Sequence, residues 1–247
     1  MKEKIYTIPV NDAFASSDTC PVCTLEQTLN DQLSDYYLGP SLMEPDVRKT
    51  TNEKGFCRDH LSQLYKREIN RLGLGLMLHT HMVDLVGNIN PELKQSVPSD
   101  QTGFFSGRKK DYRQVLNLAA DRIEARANSC VICDRIAETM ERYLDVIFYE
   151  YSTNAEFRQR FESVNGFCLP HLAVLLRGAA KYLNQKQAAV FVAALTEIQN
   201  RSLETLRDDV EWFTLKFDYR NHDKSWKNSK DALPRSIRRL RGDCRLD

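Results

Sequence analysis

Glycine and proline are scarce, ten and eight in 247 residues. That excludes a collagen-like or low-complexity linker chain. No run of about 18 apolar residues occurs, so no helical membrane span is expected. Net charge is only +1, which removes any strong electrostatic address for the whole molecule. The first ten residues, MKEKIYTIPV, carry lysines but no apolar h-region and no cleavage site. A cytoplasmic location is therefore expected, where thiols stay reduced and paired cysteines hold metal more often than they form disulfides. Glycine-rich phosphate loops, HExxH and GxSxG are missing as well. No catalytic constellation can be assembled, so nothing in the sequence points to an enzyme.

Cysteine, by contrast, is patterned. Cys20 and Cys23 form a CxxC, followed by Cys57 and His60 in GFCRDH. Cys130 and Cys133 form a second CxxC, followed by Cys168 and His171 in GFCLPH. The inner cysteines are separated by 33 residues in one copy and 34 in the other. Three thiolates and an imidazole make a closed tetrahedral set for zinc. The expectation is two zinc ions per chain, each held by the CxxC and CxxH of one copy. An iron–sulfur cluster is the alternative cofactor, since Cys3His sets can ligate one. Buried core cysteines and a thioredoxin-type dithiol are two further readings. A closed four-ligand set leaves no position for a reactive water, which argues against a hydrolytic metal. Only Cys244 has no motif partner.

The duplication extends past the ligands. Leu25, Leu29, Leu33 and Tyr37 correspond to Ile136, Met140, Leu144 and Phe148 at an offset of 111, as do Gly55 and Gly166, Leu61 and Leu172, and Leu64 and Leu175. Both runs have the spacing of an amphipathic helix. An internal repeat follows. The spacing predicts helices near 22–38, 42–52, 57–70, 73–87, 110–127, 131–150, 154–163, 168–182 and 185–217. Residues Ile5 to Val10 are the one weak strand candidate, and Pro91 is expected to close the helix before it. The chain reads as all-α, with two zinc-clasped helical repeats at 1–92 and 110–217, a linker at 93–109 and a basic C-terminal segment at 218–247.

The last stretch, 222–247, holds eight Lys or Arg against four Asp. Asp231 or Ser229 could cap a short helix there, with Gly242 ending it. Lys224, Trp226, Lys227, Lys230, Arg235, Arg238, Arg239 and Arg241 mix cations with an aromatic, a composition that suits nucleic acid. The same segment could dock onto the acidic remainder of the chain or onto a protein. His79 and His81, at i and i+2, point apart on a helix and are read as ordinary surface or hydrogen-bonded residues.

Three phrases carry a resemblance: EKIYTIPVNDAF at 3–14, TNEKGFC at 51–57, and FDYRN at 217–221 with NSKDALPR at 228–235. With the doubled CxxC…GFCxxH they resemble a family of uncharacterised bacterial proteins classed as a domain of unknown function. That resemblance spans nearly the whole chain and implies a bacterial cytoplasmic protein, without an activity or substrate. The function favoured by the residues is a scaffold or protein-partner-binding role with structural zinc. Nucleic-acid binding through the basic segment, or a redox- or metal-responsive regulator, are the alternatives.

Overall fold

The computed structural model describes residues 4–15, 19–98 and 111–244. Among them every regular element is helical. The order is α1 (Lys4–Ala15), α2 (Pro21–Leu38), a 3-10 turn (Pro40–Met43), α3 (Pro45–Lys54), α4 (Arg58–Lys66) and α5 (Arg71–Ser96). There follow α6 (Tyr112–Ala127), α7 (Val131–Thr153), α8 (Ala155–Ser163), α9 (Leu169–Tyr182), α10 (Gln185–Leu215), a 3-10 turn (Tyr219–Asn221) and α11 (Ala232–Arg241). The protein is all-α, as its hydrophobic spacing requires.

Two expectations fail locally. Residues 5–10 are helical, not extended. Val10, Ala13 and Phe14 are buried while Ile5 and Ile8 are exposed, which is a helical face. Six residues of β-branched composition were too short a window to show that period. Pro91 does not end α5, which runs on to Ser96. A proline inside a helix removes one hydrogen bond. Arg122 paired with Glu92 at 2.7 Å and Arg126 paired with Asp84 tie α6 to α5 on both sides of that gap. Of the expected linker, residues 93–96 belong to α5, and 99–109 lie outside the described residues.

The chain forms two compact units, and they are cut differently from the repeats at 1–92 and 110–217. One unit combines Met1–Leu29 with Glu138–Asp247, and the other is Asn30–Ala137. In the first, aromatic rings make the core. Phe161 sits 5.5 Å from Phe14, 5.0 Å from Tyr151, 5.3 Å from Phe167 and 5.2 Å from Phe191 between ring centroids. Phe157 and Phe148 are also fully buried there. The second unit packs Tyr37, Leu38, Leu42, Phe56, Leu64, Leu74 and Met77 against Cys130, Val131 and Ile132.

The basic segment folds back within the first unit. The buried Lys216 ammonium donates to the carbonyls of Asn221 and His222, both at 2.7 Å, and to that of Lys224. These charge-assisted bonds close the chain reversal after α10. Trp212 Nε1 donates to Ser225 O at 3.0 Å, and the Trp226 ring packs on Phe213 and Phe217. Arg235 reaches Asp209 at 3.0 Å. Gly242, at φ 87°, ends α11 as expected.

Phe161 has no exposed surface and touches four other rings. Phe161→Ala is expected to cost about 3–5 kcal/mol, from lost transfer energy plus a cavity. Denaturant unfolding of the metal-loaded protein checks this.

Candidate metal centres

Each CxxC straddles the N-terminus of a long helix, α2 or α7, and each CxxH straddles the N-terminus of a shorter one, α4 or α9. The glycine before each CxxH has a left-handed backbone, φ 65° at Gly55 and 103° at Gly166. A β-carbon at Gly55 would lie 2.6 Å from the His81 ring, and one at Gly166 2.5 Å from Ser202 Oγ. Only glycine suits these turns sterically and conformationally. His81 is thereby explained as a packing residue, and its Nδ1 bonds to Asn52 O at 2.8 Å. His79 is exposed.

All eight sequence-predicted ligands gather into two groups, but with exchanged partners. Cys20 and Cys23 meet Cys168 and His171, while Cys130 and Cys133 meet Cys57 and His60. Within each group the ligand atoms lie within 4.8 Å of one another. The expectation that each copy closes its own quartet is therefore corrected. Helix length supplies the reason. The 18 residues of α2 span about 27 Å. Phe56 ends against Tyr37, near the far end of α2 from Cys23. The second copy behaves alike: Phe167 packs on Phe161, which packs on Tyr151 near the far end of α7. Each CxxH is thus carried away from its own CxxC and meets the other one.

The geometry suits a tetrahedral ion. Bonds of about 2.3 Å to sulfur and about 2.0 Å to nitrogen place S···S near ~3.8 Å and S···N near ~3.5 Å. In the first group Cys23 and Cys168 sulfurs are 3.5 Å apart, and His171 Nδ1 is 3.7, 3.2 and 3.2 Å from Cys20, Cys23 and Cys168. In the second, Cys57 and Cys133 sulfurs are 3.7 Å apart, and His60 Nδ1 is 3.2, 3.2 and 3.3 Å from Cys57, Cys130 and Cys133. Both imidazoles turn Nδ1 inward and Nε2 outward. His171 Nε2 faces Glu26 at 3.4 Å, and His60 Nε2 faces Asn30 Oδ1 at 2.9 Å. Outer partners of this kind orient a ligating ring. Sequence reasoning missed both, although Glu26 and Asn30 share one face of α2 at i and i+4.

The two groups differ in exposure. Every ligand of the first is buried, whereas Cys133 of the second is exposed and Cys57 partly so. The second also has a backbone tie, Val131 N donating to Gly55 O at 3.1 Å. Pro21 follows Cys20 as Val131 follows Cys130, and proline has no such donor.

Electrostatics within the buried group follow from crowding. Hydrogen bonds from Cys168 and then Cys23 hold the Cys20 thiol far below its ordinary range. The same contacts, to Cys168 and Cys20, drive the Cys23 thiol far above it. Burial opposes the His171 imidazolium, but bonds to Cys168, Cys20 and Glu26 outweigh it and push the group up to about 11. In the other group, burial and the neighbouring Cys130 push the Cys133 thiol up. Thiolate and imidazole ligation thus competes with bound protons. Metal uptake is expected to release protons, and affinity is expected to fall as pH falls. A weakly buffered metal titration followed by a proton indicator measures both.

The basic residues of the C-terminal segment divide. Arg235, Arg238 and Arg239 line a cavity beside the first group, with Gly242 next to the Cys23 and Cys168 sulfurs at 3.9 and 3.8 Å from its virtual β-carbon. Trp226 is engaged by Phe213, Phe217 and the Lys216 ammonium, so its ring is not presented free for base stacking. Lys224, Lys227, Lys230 and Arg241 are exposed.

The exchanged pairing is testable by metal content. Cys23→Ser with Cys168→Ser alters one group and is expected to leave one bound metal ion. Cys23→Ser with Cys57→Ser alters both and is expected to leave none. Metal analysis of the purified variants decides, and the opposite pattern would restore closure within each copy.

Among the described residues no helix is long and apolar enough to cross a membrane. No curated protein and no solved structure matches the chain. Over residues 1–247 it matches the family model described as Family of unknown function (DUF6062), and it belongs to that family.

Proposed function

We propose that this is a zinc-binding helical protein whose two metal ions hold its fold, and that it works by binding a protein partner. The observation that carries the metal assignment is the pair of four-ligand groups, each with three sulfurs and one nitrogen at tetrahedral spacing. Thiolate-rich tetrahedral sets favour zinc, and a full set of protein ligands makes the ion structural. Such an ion can contribute on the order of 10 kcal/mol to folding.

The partner role is supported by α5. Leu74 and Met77 are buried, yet Leu72, Leu76, Val83, Val86 and Leu93 are exposed. At about 100° per residue the exposed five fall within an arc of about 100°, opposite the buried pair. A second apolar stripe on a helix that already has a buried one fits the side of a partner helix.

A second reading rests on the exposed Cys133. A thiolate reachable from solvent is open to oxidation, so the second group could release its ion under peroxide while the buried group keeps its own. That would make the protein a redox-responsive regulator.

Purified without chelator, the chain is expected to carry two zinc ions. Iron with visible absorbance would move the assignment to a cluster, and six free thiols on an intact fold would overturn it. A photo-crosslinker at Val83 is expected to capture one recurring protein, and Leu76→Glu is expected to abolish capture with zinc content unchanged. Cross-links to another copy of the chain alone, or none, would overturn the partner reading.

A further inference from the structure

Beside the buried Cys3His group lies a cavity of about 510 Å³. That size falls within the range of small-molecule sites. One wall is formed by Cys20, Cys23 and Cys168, and the others by α10, α11 and the start of α2. Four guanidinium groups line it: Arg201, Arg235, Arg238 and Arg239. Asp243 is the one carboxylate of the lining.

The cations are unequally balanced. Arg235 is paired with Asp209 and Asp231, both at 3.0 Å. Arg238 approaches Asp243 at only 4.0 Å. Arg201 and Arg239 meet carbonyl oxygens instead, Glu162 O at 3.3 Å and Asn165 O at 2.8 Å. Three thiolates around a divalent ion leave a single net negative charge on the metal wall. That charge can offset one arginine of the lining. Arg201 meets no carboxylate among the described residues, and Arg238 only the distant Asp243. Hydroxyls of Thr24, Ser202 and Thr205 and the apolar Leu206 also line it.

We propose that this cavity binds a small phosphate ester, its phosphate held by Arg201 and Arg238 and its organic part lying along the hydroxyl and Leu206 wall. Guanidinium forks match phosphate oxygens two at a time, and hydroxyls supply further donors. The rival account is that the arginines serve only to neutralise the metal group. It requires no ligand, and it requires zinc retention to depend on these arginines.

The proposal is independent of the α5 stripe but rests on a filled first metal group, so zinc is measured in every sample. Zinc-loaded full-length protein is titrated by calorimetry at low salt with inorganic phosphate and with adenosine monophosphate. Saturable binding of phosphate is expected, and tighter binding of the nucleotide shows that the organic part is recognised. Arg201→Gln with Arg238→Gln is expected to weaken phosphate at least about tenfold. Zinc content should stay at the wild-type value. Arg207→Gln, on the same helix but paired with Asp208 outside the cavity, is the control and should bind as wild type. No saturable phosphate binding up to about 10 mM by zinc-replete protein would overturn the proposal. So would undiminished binding by the double variant, or loss of zinc from it. A zinc-poor wild type would instead count against the metal assignment.

Discussion

Closure of each Cys3His group by ligands remote in sequence is the constraint on which the rest depends. The first group joins Cys23 to Cys168 across 145 residues, and the second joins Cys57 to Cys133 across 76. The smaller loop lies wholly inside the larger one in chain order. The unit Asn30–Ala137 is accordingly an insertion between the two halves of the other unit. Cross-links that close long loops restrict the unfolded chain most, and a bound metal acts as such a cross-link. The same nesting gives the outer unit a high contact order, since its halves are separated by more than a hundred residues. Its aromatic core around Phe161 draws Phe14 from one half and Phe157, Phe167 and Phe191 from the other, so packing and the Cys3His group join the same two segments.

Most helices were legible because their apolar residues recur at three and four. Leu25, Leu29 and Tyr37 are buried on α2, and Leu144 and Phe148 on α7, as helical spacing implies. All eight candidate ligands were legible by residue type and spacing, and they gather into two groups. Their pairing was not, and for a specific reason. Both copies present the same CxxC and the same GFCxxH, so every assignment of halves gives an identical ligand set. What decides is packing: Phe56 ends against Tyr37, near the far end of α2 from Cys23. Residues 5–10 were misread because a short β-branched run has no period to distinguish strand from helix. Pro91 was misread because ion pairs from α6, unknowable from local sequence, support the helix around it.

The imidazole partners show how one helix serves both centres. Glu26 faces His171 and Asn30 faces His60, one turn apart on α2. Each partner belongs to the same unit as the ring it meets. A carboxylate raises the basicity of the ring it holds, whereas a neutral amide orients the ring with less electrostatic effect. Neither residue stands out in the sequence, since a Glu and an Asn on a polar helix face are ordinary.

The two ligand sets are alike in residue type, and the parts of the chain around them differ. The segment after α10 occurs once, and Lys216 folds it back so that α11 brings Arg239 and Gly242 to the first group. Nothing comparable covers Cys133 of the second among the described residues. A metal-bound thiolate beside a guanidinium-lined wall has its charge partly offset, while an exposed thiolate without such cations is not neutralised in that way. The chemistry open to each centre is thus set less by its four ligands, which are the same, than by the single C-terminal segment that only one of them received.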